Sequence, residues 1–111
     1  MRRTIPALLV VLALPGCSLT LPVRGHMQHS DETFTGSATG HLDGGGSLVV
    51  KTTTGASCKG TFVYVTYRQG SGTFVCDDGR TGPFNFVSTG STGAGTGDLG
   101  GQRFTFTFGG E

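Results

Sequence analysis

The sequence predicts an all-β domain, an antiparallel meander of about seven short Gly/Phe/Thr-rich strands curling into a small barrel, with a two-sheet sandwich as the alternative. Three observations predict it. From Thr33 onward no stretch carries apolar residues at helical spacing. Turn-forming residues recur about every ten positions. Between them, apolar or Gly positions alternate with hydroxyl-bearing ones, the period of a half-buried strand.

The strands follow in order. Phe34, Gly36, Ala38, Gly40 and Leu42 alternate with Thr33, Thr35, Ser37, Thr39 and His41, giving one apolar or empty face and one polar face. The same division runs through Leu48 and Val50, then Cys58, Gly60, Phe62 and Tyr64, then Gly72, Phe74 and Cys76. It continues through Phe84 and Phe86, a Gly95/Gly97 strand, and finally Phe104, Phe106 and Phe108, so all eight phenylalanines fall on the inner face. A slip of one residue would turn every ring to water, so the pattern specifies register. A hairpin centred on Tyr67 sets Phe62 opposite Gly72, Phe74 opposite Gly60 and Cys58 opposite Cys76. Gln69-Gly70 suggests a later turn, which a bulge would reconcile with that pairing.

Gly90-Ser91 and Gly101-Gln102 suit two-residue turns in which Gly supplies a positive φ. Gly95 and Gly97 are then expected beside Phe86 and Phe84 on one side and beside Phe108 and Phe106 on the other, making room for the rings. The Asp77–Gly82 connection must exceed two residues if Cys76 and Phe84 share a face. The strand beginning at Thr33 is expected to receive the last Phe-rich strand and close the sheet.

The N-terminus has another character. Arg2 and Arg3 precede an uncharged apolar run from Ile5 to Leu14, the order of a secretory signal and too short to span a bilayer as a helix. The run ends Leu14-Pro15-Gly16-Cys17, which resembles the lipobox of bacterial lipoproteins. The resemblance implies a signal peptide over residues 1–16 and lipid on Cys17, with two or more acyl chains anchoring where one does not. Ser18 in place of Asp after the lipid site implies, in Gram-negative lipoproteins, sorting to the outer membrane, with the leaflet open. Residues 17–32, polar and mixed and containing Pro22, read as a lipidated tether, and residues 33–109 as the β-domain.

Assigning Cys17 to lipid leaves Cys58 and Cys76 as a pair in an oxidising compartment, where a disulfide is expected. Without residues 1–16 the chain holds 95 of its 111 residues, enough for one small domain. Its eight Lys and Arg fall to six against seven Asp and Glu, and no basic stripe argues for nucleic acid. The run from Cys76 to Phe86, with Gly95–Phe108 after it, resembles the C-terminal signature of uncharacterised small glycine-rich proteobacterial lipoproteins, a resemblance that implies no activity.

Candidate chemistry is sparse. Asp77, Asp78 and Arg80 form a candidate interaction loop, although Asp-Gly is first of all turn chemistry and alternating calcium-loop acids are absent. His26, His29, Asp31 and Glu32 are suitable metal ligands by type, yet in a tether they would not be preorganised, so no metal site and no cofactor is expected. His41 near Asp43 lacks a nucleophile and an oxyanion hole. The expected function is therefore a non-enzymatic, outer-membrane-anchored envelope lipoprotein. Its β-domain would be a structural or interaction module, with an envelope protein as candidate partner besides the membrane. A periplasmic inhibitor of lysozyme or protease and a small-ligand-binding barrel are the alternatives.

Overall fold

The computed structural model describes residues 18–41 and 44–109, and shows eight antiparallel strands in a closed barrel. They are β1 (Ser18–Met27), β2 (Thr33–His41), β3 (Gly45–Thr52), β4 (Ser57–Tyr64), β5 (Gln69–Cys76), β6 (Thr81–Ser88), β7 (Thr92–Leu99) and β8 (Gln102–Gly109). Each strand pairs with its sequence neighbours, and β1 pairs with β8 to complete the ring. Closure gives every strand two neighbours, with only the first half of β1 left unpaired on one side, and it decides against the two-sheet sandwich. The expected signal peptide over residues 1–16, the expected lipidation position Cys17, and Leu42 and Asp43 lie outside the described residues.

The reading of residues 17–32 as a tether is corrected, because Ser18–Met27 is the first stave of the barrel. Its alternation of Leu19, Leu21, Val23, Gly25 and Met27 was present but interrupted by Pro22. That proline is tolerated because residues 18–22 pair with β2 alone, β8 joining only from Val23 onward. β8 therefore meets β1 instead of the Thr33 strand, and the strand count is eight where about seven were expected.

The phenylalanine core is the expected one, while Tyr64, expected on the inner face, is exposed at the end of β4. All eight phenylalanines are buried, joined by Val23, Met27, Leu48, Val50, Leu99 and the two half-cystines. At about 1.5–3 kcal/mol for each fully buried large side chain, these rings supply most of the drive that closes so glycine-rich a sheet. They pack edge to face, as between Phe34 and Phe104 at 5.6 Å or Phe62 and Phe86 at 5.1 Å. The Tyr67-centred register holds, with Cys58 opposite Cys76 and the disulfide joining β4 to β5.

One register differs. The β7–β8 turn is Gly100-Gly101, both at positive φ, instead of Gly101-Gln102. Two consecutive left-handed residues make the hairpin turn whose twist matches the strands. Gly93, Gly95 and Gly97 consequently face Phe108, Phe106 and Phe104, a shift of two residues from the expected pairs. A shift of two preserves the face of every side chain, so the rings stay inside. A Cβ on Gly95 would lie 2.6 Å from the Phe106 ring, and one on Gly97 2.6 Å from Phe104. The glycine strand is thin so that its neighbour's rings can lie across it.

Candidate functional site

The two ends of the barrel differ in chemistry. One carries the β1–β2, β3–β4, β5–β6 and β7–β8 turns, and there Glu32, just before β2, turns inward and is only 8% exposed. Arg80, at the end of the β5–β6 turn, clasps it with two parallel bonds: Nη1 donates to Oε1 at 2.9 Å and Nη2 to Oε2 at 2.8 Å. Thr54 Oγ1 donates to the same Oε2 at 2.8 Å, and Thr52 supports Thr54 at 2.9 Å. The Arg80 hydrogen bond, outweighing the effect of burial, lowers the Glu32 pKa from 4.5 to about 2, and the same pairing raises that of Arg80. The arginine stem crosses the β7–β8 turn, its Cγ 3.1 Å from where a Cβ on Gly100 would stand. This end is closed by a charge-assisted plug.

The candidate loop residues belong to that plug. Arg80 Nε donates to Asp78 Oδ2 at 2.9 Å, and the Arg80 amide to Asp78 Oδ1 at 3.1 Å. Asp77 Oδ1 accepts the amide of Ser57 at 3.0 Å, tying the loop to β4. All three side chains are therefore engaged within the fold. Of the four ligand-type residues near the start of the chain, Glu32 is committed to Arg80, while His26, His29 and Asp31 stay exposed. Among the described residues no three His, Cys, Asp or Glu converge on a metal-sized site. His41 is exposed at the far end of β2.

The opposite end holds the start of β1 and the β2–β3, β4–β5 and β6–β7 connections. It is apolar and opens inward. Leu19, Leu21, Ala38, Leu48, Tyr64 and Phe108 are among the residues lining a cavity of about 60 Å³. Tyr64 stands at its rim, with its ring 5.9 Å from Phe62 and 5.7 Å from Phe86. A larger concavity, about 780 Å³, is an open depression of the outer wall edged by Arg24, His26, Thr33 and Thr107. His26 Nδ1 sits 3.5 Å from Thr105 Oγ1 there.

Sequence reasoning placed neither the Glu32–Arg80 clasp nor the apolar mouth. The clasp joins residues 48 positions apart and leaves no local trace. The mouth did have a signal in the Leu19, Leu21, Val23 alternation.

No family model and no curated protein sequence matches the chain. Two solved structures share the fold. One is a redesigned β-barrel, mFAP1, bound to DFHBI (TM-score 0.67, 11% identity, covering 81% of this chain and 91% of that one). The other is a fluorescence-activating β-barrel of de novo design (TM-score 0.63, 10% identity, covering 83% and 91%). At such identities the likeness concerns the fold alone.

Proposed function

We propose that this chain is an envelope lipoprotein, held at the outer membrane by lipid on Cys17, whose barrel is a non-enzymatic interaction module. The observation that carries the reading is the junction: the first stave begins at Ser18, directly after the lipobox cysteine. The acyl chains and the fold are then adjacent, and the barrel sits on the membrane surface without a spacer. Its polarity supports a place outside the hydrocarbon. Outward positions such as Thr35, Lys51, Lys59, Thr73 and Asn85 are exposed while the interior is apolar, the reverse of a barrel that crosses a bilayer. Partners would be met by the outer wall or the loop ends, since rings fill the interior.

Radiolabelled palmitate tests the anchor. Label in the wild-type chain, its absence from Cys17→Ala, and co-sedimentation with outer-membrane markers are expected. An unlabelled wild-type chain would refute the proposal. Crosslinking in the native envelope, followed by mass spectrometry, addresses the partner.

The small-ligand reading draws on the mouth cavity and on the fold shared with a barrel that binds DFHBI. A drug-sized ligand usually needs about 300–1,000 Å³, far above the 60 Å³ present, so the anchored module is preferred. Native mass spectrometry with membrane extract separates the two, a retained small molecule favouring the ligand reading. For the inhibitor reading, the internally bonded Asp77–Arg80 loop offers no free guanidinium to a cleft, and lysozyme and protease assays decide it.

A further inference from the structure

We infer that the mouth end of the barrel is a membrane-docking surface, its partner the headgroup and upper acyl region of a lipid bilayer; this rests on the Cys17 anchor proposed above. The first ground is position. Ser18 pairs with His41 at the mouth, Gly45 pairs with Val63, and the Tyr64 amide donates to Gly44 O at 2.8 Å. The entry of the chain and the β4–β5 tip therefore stand at the same end of the barrel, on opposite sides of its ring. Lipid on the residue before Ser18 brings that end of the barrel to the bilayer.

The second ground is chemistry. Of the large apolar side chains that stay exposed, most stand on this rim, including Tyr67 at 85%, Val65 at 67%, Val63 at 60% and Leu19 at 55%. Leu19 keeps the inward parity of Leu21 and Val23 but lies beyond the end of β8, so it overhangs the mouth without a partner strand on that side. The tip is built to hold its shape. Val65 N donates to Gln69 O at 2.7 Å, and Thr66 Oγ1 accepts the amides of Gln69 and Arg68. Arg68 lies over the Tyr67 ring at 5.3 Å. Tyrosine and arginine with apolar neighbours suit a boundary where one part of a side chain is dry and the other wet.

Charge points the same way. Of the seven Asp and Glu in the chain, Asp31, Glu32, Asp77, Asp78 and Asp98 lie at the plugged end, while Asp43 and Glu111 lie outside the described residues. Arg80 and Arg103 offset part of that acid, and an anionic lipid surface accepts Arg68 at the mouth in preference to the plugged end.

The chain has no tryptophan, so a single introduced indole reports its own surroundings. The full-length, lipidated protein carrying Tyr67→Trp is reconstituted into phosphatidylethanolamine/phosphatidylglycerol vesicles with brominated acyl chains. Asp31→Trp, at the far end, serves as the control. Expected are a blue-shifted emission and strong bromine quenching at position 67, consistent with burial about 5–10 Å into the boundary, and neither effect at position 31. Val65→Trp repeats the measurement independently of the Arg68 contact. The same preparations are assayed for palmitate. Labelled protein with no quenching at 67 and 65, or with equal quenching at 31, overturns the docking surface and leaves the anchor standing. Unlabelled protein overturns both.

Discussion

Arg80→Ala is expected to destabilise the barrel by about 3 kcal/mol at neutral pH and to flatten the acid limb of its stability curve. The magnitude follows from Glu32, which is buried and accepts two guanidinium bonds at 2.9 and 2.8 Å. Its pKa falls from 4.5 to about 2 on folding, equivalent to about 3 kcal/mol. Because the folded value is the lower one, this stability is fully present above pH 4.5 and is lost as the pH falls towards about 2. Removing the arginine also strands a buried carboxylate, which in other proteins costs a similar amount.

Urea denaturation followed by far-UV circular dichroism, repeated at several pH values with the disulfide intact, measures both effects. Arg80→Met keeps the stem that crosses Gly100, so its difference from Arg80→Ala reports packing separately from charge. Combining Arg80→Met with Glu32→Gln leaves no buried orphan charge, only the exposed Asp78 losing its partner, and it should recover much of the loss. The reasoning is refuted if Arg80→Ala lies within about 0.5 kcal/mol of wild type at neutral pH and runs parallel to it on acidification.

Four further variants test the packing and the disulfide. Gly72→Ala would place a Cβ 1.9 Å from Thr61 O and 2.8 Å from the Phe84 ring, and a loss of at least about 2 kcal/mol is expected by chemical denaturation. Gly40→Ala meets nothing within 4 Å, and its midpoint should stay within about 0.5 kcal/mol of wild type. Phe84→Ala empties a site only 1% exposed and should cost about 3–5 kcal/mol. Cys58→Ala combined with Cys76→Ala should lose about 3 kcal/mol. The non-reduced wild-type chain should yield no thiol from this pair, whereas two reactive thiols would contradict the β4–β5 bond.

By itself the sequence determined which face of seven strands is dry and how most of them pair. Phe34, Phe62, Phe74, Phe84 and their partners alternate with Thr, Lys and Asn, and a period of two is a property each strand carries alone. Parity and the need to match rings with glycines then set Cys58 against Cys76 and Gly97 against Phe84. The tertiary structure decided what parity leaves degenerate. Turns at Gly100-Gly101 and at Gly101-Gln102 both keep Phe104, Phe106 and Phe108 inside, and only the fit of Gly93, Gly95 and Gly97 beneath those rings selects one. It also recruited Ser18–Met27 as a stave, because a segment broken by Pro22 has little strand preference until β2 and β8 offer edges on both sides. The plug belongs wholly to that level: Glu32 and Arg80 meet because closure brings the first and fifth turns to one end, and hydrogen bonding over such a separation leaves no mark in either residue's neighbourhood.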